Sequence, residues 1–289
     1  MQDRIRRAIL KALVYSDIFD YPLTRDEIWR FLIGERIDRK TFDKFLENSL
    51  KEKRIVFKNN FYCLSGREQI FKVKTARKKE SQKKIVVAKK IIKRLSRIPT
   101  IQFIGISGAL SLENSERDDD IDLFVIISRG RLWLTRFAMI VVLLLMGRYR
   151  RRNQRQFSDK ICLNMLIDES VLSFPIDRQN LYTAHEIVQL LPVFEVNNTY
   201  SRFINANKWV VKFLPNALDR IKNHELRIKE GQTKPLSILE RLAKALQFWS
   251  IKRHQTNETV SDSFPAFHPL DYKKKVLTEY KRRLKQYEI

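Results

Sequence analysis

The sequence predicts a protein of the α/β (α+β) class, in which a small mixed sheet with helices is flanked by two further units. Apolar residues recur at helical spacing towards both ends of the chain. Between residues 101 and 167, short apolar runs typical of strands alternate with helical segments, which indicates a small sheet with helices on one side. At 44% hydrophobic residues with only 7 Gly and 8 Pro in 289, the composition is that of a folded chain. We expect three domains, at residues 1–70, 71–170 and 171–289.

The first unit has the pattern of three helices followed by a hairpin. Thr24 and Glu27 have the spacing of a capping box at the start of a second helix, and Asp38 is predicted to cap a third. Asn59 and Asn60 separate two short apolar runs, as in a tight hairpin. This order is the winged-helix layout, whose third helix commonly enters the DNA major groove, and winged helices also bind proteins. The candidate contacts on that helix are Arg39, Lys40, Lys44 and Lys51.

The charge balance is strongly basic. Lys and Arg total 57 against 33 Asp and Glu, a formal net charge of +24, which indicates an anionic partner such as nucleic acid, a nucleotide or an acidic membrane surface. Much of this charge lies in residues 72–97, where we expect a solvated linker or exposed helix and then a helix that packs on the sheet. A solvated helix face is an equally good interpretation of these charges.

One segment departs from this basic character. Residues 101–127 contain two strand-like runs around a turn at Gly108 and an acidic patch that ends in Asp120 and Asp122. Residues two apart in a strand share a face, so the two carboxylates are predicted to point the same way. Two close carboxylates favour a cation between them, and hard oxygen ligands suit Mg²⁺, with Mn²⁺ as the alternative. A solvated acidic loop remains the plain alternative.

At these residues the chain resembles the nucleotidyltransferase superfamily of DNA polymerase beta and the minimal nucleotidyltransferases. That family has a Gly-Ser turn after one strand and Asp-x-Asp on the next. The resemblance implies that Asp120 and Asp122 are the catalytic metal ligands. It implies that Ser107, Gly108 and Ala109 bind the phosphates of a nucleoside triphosphate (NTP), through backbone amides and a hydroxyl. It covers about a third of the chain, and it implies a nucleotidyltransferase-type sheet.

The chain differs from the family pattern at two positions. Ala109 stands where the family has a serine, and Ser107 and Ser111 are the candidates to supply the hydroxyl instead. The resemblance implies a third carboxylate on the strand at residues 161–167, where Asn164 occupies the expected position. An amide cannot accept a proton. Asp159 and Asp168, which bracket the strand, are the candidate replacements.

The segment that follows the predicted metal site has an apolar part and a basic part. Leu132 to Gly147 is shorter than the roughly 20 residues needed to span a membrane and is interrupted by Arg136, so it is expected to be a core helix. Residues 148–155 then form the strongest local basic patch, suited to a phosphate backbone or nucleotide. The candidate contacts there are Arg148, Arg150, Arg151 and Arg152. An exposed basic helix end is the alternative.

The remaining features set the cellular context. After Glu169 the chain is expected to be helical throughout. Cys63 and Cys162 lie far apart and are interpreted as buried thiols of a reducing compartment. No apolar segment of signal-peptide type follows Met1, so we expect a cytoplasmic protein.

Two functions of different classes follow from the sequence. The first is a Mg²⁺-dependent nucleotidyltransferase that transfers a nucleotidyl group from an NTP to a hydroxyl of nucleic acid (DNA or RNA), protein or a small molecule. The second is a catalytically degenerate protein of the same fold that binds nucleic acid or regulates another process. A membrane-surface role for the segment from Leu132 and the Arg run is disfavoured by its short apolar length.

Overall fold

The N-terminal region folds as the predicted three helices and hairpin. The computed structural model describes residues 2–151, 157–219, 238–252 and 270–289, and within these it describes the backbone alone of residues 164, 238, 246, 248–252, 270 and 271. The elements of this region are α1 (Gln2–Asp17), α2 (Arg25–Arg30), α3 (Arg39–Lys51), β1 (Ile55–Lys58) and β2 (Phe61–Leu64). Strands β1 and β2 are antiparallel.

The helix-capping residues and the hairpin-turn residues predicted from the sequence have these roles in the structure. The N–H of Thr24 donates to a Glu27 carboxylate oxygen at 2.8 Å while the N–H of Glu27 donates to the Thr24 hydroxyl, which completes a capping box. Asp38 caps α3 by accepting from the N–H of Thr41 at 3.0 Å. Asn59 and Asn60 have φ values of 51° and 67°, the left-handed region that a two-residue type I′ hairpin turn requires.

Residues 70–95 form one continuous helix, α4 (Ile70–Leu95), so the exposed-helix interpretation applies and the linker interpretation does not. Two of its basic side chains are buried and hold the acidic segment in place. The ammonium group of Lys74 donates to the carbonyl oxygens of Leu112 and Glu113 at 2.8 and 3.1 Å. That of Lys84 donates to the carbonyl oxygen of Asp119 at 2.7 Å.

A mixed sheet follows, as predicted. Its elements and the helices between them are β3 (Ile101–Ile106), α5 (Gly108–Ser111), β4 (Ile121–Ile127), α6 (Leu132–Leu145) and β5 (Ile161–Asp168). Among the described residues the sheet has four strands in the order β5-β4-β3-β6, with β4 and β5 parallel and the other two pairs antiparallel.

The prediction that the chain is helical throughout after Glu169 is wrong at one element. The segment contains β6 (Leu191–Glu195), the edge strand beside β3. Pro192 stands in this strand, which is tolerated because an edge strand needs only one side of its backbone for pairing. The helices are α7 (Leu181–Val188), α8 (Thr199–Ala206), α9 (Ile238–Lys252) and α10 (Leu270–Gln286).

Helices cover both faces of the sheet, and the expectation of helices on one side is therefore wrong. Ile104 and Val125 pack in a cluster with α4 and α6. Phe103 and Phe124 point to the opposite face and belong to a second cluster, which includes side chains of α1, α7 and α8. The N-terminal helices thus share a core with the C-terminal helices and the sheet, while the domain boundaries at residues 70 and 170 stay a prediction.

The apolar segment from Leu132 forms α6, which is partly buried. Trp133 and Met139 are buried, whereas Leu145 at the end of the helix is 85% exposed. Among the described residues, no helix is long and apolar enough to cross a membrane.

Candidate functional site

The candidate residues converge because of the strand directions. Strand β3 runs antiparallel to β4, and β4 runs parallel to β5. The end of β3 therefore lies at the same edge of the sheet as the beginnings of β4 and β5. The turn at Gly108 follows β3, Asp120 precedes β4, and Asp122 is the second residue of β4.

Asp120 and Asp122 form a cluster with a third residue, Cys162. One oxygen of each carboxylate and the sulfur of Cys162 all lie within 4.8 Å of one another. Cys162 is placed there by the parallel ladder, in which it is the partner of Asp122. The sequence alone indicates only a buried thiol at Cys162, and the signal that places it at the site is its position next to the start of a predicted strand.

The electrostatics of this cluster favour a cation. Burial, and then the neighbouring charge of Asp120, raise the pKa of Asp122 to about 7. Burial and the two aspartates also raise the pKa of the Cys162 thiol well above its ordinary value, so the sulfur is a neutral thiol at pH 7. Two half-buried carboxylates and a neutral thiol suit a hard divalent ion that uses the oxygens and keeps further positions for water or phosphate.

Gly108 lies directly against this cluster. Its φ of +64° is in the left-handed region, and a β-carbon at this position would lie 2.7 Å from Oδ2 of Asp122. The backbone N–H of Ser107 donates to the carbonyl oxygen of Asp122 at 3.0 Å, which fixes the turn to β4. A side chain at position 108 would therefore both strain the backbone and displace the carboxylate.

The turn presents backbone donors but no serine hydroxyl at position 109. Among the described residues, no hydrogen bond involves the N–H groups of Gly108 or Ala109, as expected at the start of a helix. The hydroxyl of Ser111 donates to the carbonyl oxygen of Gly108 at 2.8 Å, and Ser107 is buried.

The predicted basic patch divides into residues with different surroundings. Arg150 forms an ion pair with Asp120, and its guanidinium lies over the ring of Phe157, 4.6 Å from the centroid. Arg148 is half-buried and donates to the carbonyl oxygen of Asp159 at 3.4 Å, and Arg151 is exposed. Arg152 lies outside the described residues.

The candidates for a third carboxylate lie elsewhere. Asp168 is at the far end of β5, where it accepts hydrogen bonds from the N–H groups of Gly130 and Ser170 at 2.6 and 2.9 Å. Asp159 accepts from Lys84 at 3.2 Å. The backbone of Asn164 is in β5, and its side chain lies outside what the structure describes.

A cavity of about 240 Å³ opens beside the aspartates. Its lining includes Asp122 and Gly108 on one side, Tyr15 of α1, and Tyr182 and Glu186 of α7. The N-terminal helices therefore form a wall of the candidate site. This wall is held by a stacked pair of rings, Tyr15 and His185, with centroids 3.9 Å apart.

The basic residues of α3 lie apart from this cavity lining. Arg39 forms an ion pair with Asp26 at 2.6 Å and lies over the ring of Trp29, while Lys40 and Lys44 are exposed. DNA binding by α3 stays a prediction.

Comparison of the chain with protein-family models, curated proteins and solved structures gives no match. The resemblance to nucleotidyltransferases thus depends on the residues described above.

Proposed function

We propose that the chain is a divalent-metal-dependent nucleotidyltransferase, which transfers a nucleotidyl group from an NTP to a hydroxyl acceptor. One observation carries the proposal: the glycine turn after β3 packs against Asp122 at the sheet edge where Asp120 and Asp122 come together. A metal site and a phosphate-binding turn must be adjacent if the metal is to carry a triphosphate. This adjacency also supports the resemblance in the sequence.

Asp120 and Asp122 are the residues that would hold Mg²⁺, or Mn²⁺ as the alternative. The ion would neutralise the triphosphate charge and act as a Lewis acid. The N–H groups of Gly108 and Ala109, which have no acceptor among the described residues, offer hydrogen bonds to phosphate oxygens. Arg150 already lies beside Asp120 and can exchange that partner for a phosphate when the carboxylate binds a cation.

The reaction is a displacement at the α-phosphorus. The acceptor oxygen bonds to this phosphorus, the bond to the pyrophosphate oxygen breaks, and the hydroxyl proton passes to water. The chain contributes to this step mainly by positioning the two substrates, because phosphoryl transfer is catalysed mainly by positioning and charge stabilisation. We place the activity in the cytoplasm, where NTPs and Mg²⁺ are available and where Cys63 and Cys162 stay as free thiols.

The test compares the purified chain with Asp120→Asn and Asp122→Asn in calorimetric titrations with an NTP and Mg²⁺, and then in transfer assays with α-labelled NTP. The wild-type chain should bind the NTP only with the metal, and both variants should lose this binding. Asp118→Asn is the matched control, because Asp118 is an exposed member of the same acidic segment. Absence of metal-dependent NTP binding by the wild-type chain would overturn the proposal.

The second candidate is a non-catalytic protein of this fold that binds a nucleotide or nucleic acid. The ion pair of Arg150 with Asp120, and the Cys at the position beside Asp122, favour it because each reduces the negative charge available to a metal. It predicts NTP binding without label transfer to any acceptor. If nucleic acid is the ligand, its binding should weaken steeply with salt and be unaffected by Asp122→Asn.

A further inference from the structure

The cavity beside the metal cluster has a set of aromatic lining residues that the nucleotidyltransferase proposal does not use. This aromatic chamber is lined by Tyr15, Tyr21, Tyr182 and Tyr272, with Phe19 and Phe31. The whole cavity, of about 240 Å³, is below the roughly 300–1,000 Å³ of sites that enclose a drug-sized ligand. It suits a ligand smaller than a complete nucleotide.

All charged side chains that line the cavity are acidic. They are Asp119, Asp120, Asp122 and Glu186, and no Lys or Arg is among the lining residues, all of which the structure describes. A wall of this kind repels phosphate groups unless a metal intervenes. A polyanionic acceptor such as nucleic acid is therefore a poor match for the chamber.

Two of the four carboxylates already have a hydrogen-bond or ion-pair partner, and a third belongs to the proposed metal site. Asp119 accepts hydrogen bonds from the hydroxyl of Ser115 at 3.2 Å and from the N–H of Glu116 at 2.7 Å. Asp120 is paired with Arg150, and Asp122 belongs to the metal cluster.

Glu186 is the exception. Its carboxylate makes no hydrogen bond or ion pair with any described residue. Burial raises its pKa to about 7, as expected for a carboxyl group that lacks a compensating charge. Its neighbour in the sequence, His185, is buried with an unpaired Nε2, and burial lowers its pKa to about 3, so this ring supplies no positive charge at pH 7. Among the described residues, none supplies a counter-charge to Glu186, which leaves this carboxyl group available to a cationic ligand.

The aromatic walls fit a cationic ligand. The rings of Tyr182 and Tyr272 meet edge to face, with centroids 6.1 Å apart, and both line the chamber with Glu186. An ammonium group is attracted to the faces of tyrosine rings as well as to a carboxylate. The hydroxyl of Tyr182, which has no hydrogen-bond partner among the described residues, offers an additional hydrogen bond to a ligand that carries hydroxyls.

We propose that the aromatic chamber is a binding subsite for a small hydroxyl-bearing ammonium compound, of the amino alcohol or amino sugar class, with Glu186 as its counter-ion. Under the nucleotidyltransferase proposal, on which this role depends, the compound is the acceptor and its hydroxyl is the group that receives the nucleotide. Asp120 and Asp122 line the same cavity as Glu186, so a ligand held by its ammonium group can direct a hydroxyl towards a bound triphosphate.

The test is a calorimetric titration of the full chain, without NTP, with two matched sets of probes. Ethanolamine is compared with ethylene glycol, and glucosamine is compared with glucose and glucose 6-phosphate. At least one of the two amines should bind about tenfold more tightly than its neutral analogue, as expected for one charge-assisted contact, and glucose 6-phosphate should not bind. Glu186→Gln, which keeps the size of the side chain, should abolish the preference for the amine.

A matched variant and a separate titration make the outcomes distinct. Glu47→Gln removes a carboxylate from the exposed side of α3 and should leave amine binding unchanged. Equal amine binding by the wild-type chain and Glu186→Gln, or failure of both amines to bind the wild-type chain, would overturn the subsite. Amine binding that depends on Glu186 in a chain that binds no metal-dependent NTP would support the subsite and reject the nucleotidyltransferase proposal. Thermal unfolding of each variant verifies that it is folded.

Discussion

The α-carbon of Gly108 lies so close to Asp122 that a β-carbon would come within 2.7 Å of the carboxylate oxygen Oδ2. Gly108→Ala should therefore displace the carboxylate from the metal cluster and weaken metal-dependent NTP binding by at least tenfold. The left-handed φ of +64° adds backbone strain of about 1–2 kcal/mol to the cost in stability. Calorimetric titration with an NTP and Mg²⁺, together with urea unfolding, measures the two effects.

A substitution at Gly147 is the control that separates the effect of backbone strain from the effect of displacing the Asp122 carboxylate. The φ of Gly147 is +63°, nearly that of Gly108, but apart from its two chain neighbours no described residue has an atom within 4 Å of the place that a β-carbon would occupy there. Gly147→Ala should lose a similar amount of stability and keep its NTP binding. Equal NTP binding by Gly108→Ala and Gly147→Ala would show that the contact with Asp122 has no role in the site.

The ion pair of Arg150 with Asp120 leads to a second prediction, in which two affinities change in opposite directions. Arg150→Gln removes the cation that competes with a metal for Asp120, so binding of Mn²⁺ alone should become tighter. The same variant lacks a phosphate contact, so binding of the NTP with metal should weaken severalfold. Titrations of metal alone and of metal with NTP test both changes.

Arg151→Gln is the matched control, because Arg151 is the exposed neighbour in the sequence. It should alter neither affinity by more than about twofold if surface charges contribute little. If Arg150→Gln weakens the binding of metal alone as well as the binding of NTP with metal, Arg150 does not compete with the metal for Asp120. Such a result would indicate that Arg150 only supports the fold.

The parts of the fold that follow from short-range chemistry could be predicted from the sequence. The capping box of Thr24 and Glu27 and the hairpin turn at Asn59 and Asn60 depend on neighbouring residues alone. The alignment of Asp120 with Asp122 likewise follows from strand geometry. These features needed no knowledge of what packs against them.

The remaining features depend on contacts distant in the sequence. The segment of β6 is extended because it pairs with the edge of β3. Its five residues, which include Pro192, give only a weak local indication of a strand. Cys162 joins the aspartates through the register of β4 with β5, and Arg150 turns back to Asp120 across 30 residues. Glu186 faces the site only because α7 packs beside α1, a relationship that no spacing in the sequence indicates.

The position of Cys162 gives a third prediction. Cys162→Asp places a carboxylate opposite Asp122, where the sulfur now lies within 4.8 Å of both aspartate oxygens. A third hard oxygen ligand should tighten Mg²⁺ binding, by about tenfold or more in a titration at pH 8. Cys162→Ala should leave Mg²⁺ binding within about twofold of the wild type, because a neutral thiol is a poor ligand for this ion. A large loss of Mg²⁺ affinity in Cys162→Ala would instead make the sulfur a metal ligand.

The neutral, buried ring of His185 makes the stability of the fold depend on pH. Burial lowers the pKa of His185 from 6.5 to about 3, so between these values the unfolded chain binds a proton that the folded chain does not. This contribution to stability is fully present above pH 6.5 and is lost as the pH falls towards 3, at about 1.4 kcal/mol per pH unit. His185→Gln removes the dependence, although it also costs stability at pH 7 through the lost stacking on Tyr15.

The difference in stability between wild type and His185→Gln should therefore shrink as the pH is lowered from 6.5 to 4. The carboxyl group of Glu186, whose pKa burial raises to about 7, acts in the opposite sense, since its contribution is lost as the pH rises from 4.5 to 7. Glu186 is present in both proteins, so to a first approximation its effect cancels in the difference. Urea unfolding of both chains at several pH values measures the trend. Parallel stability curves would mean that His185 is protonated as readily in the folded chain as in the unfolded one, and that the wall between α1 and α7 admits water.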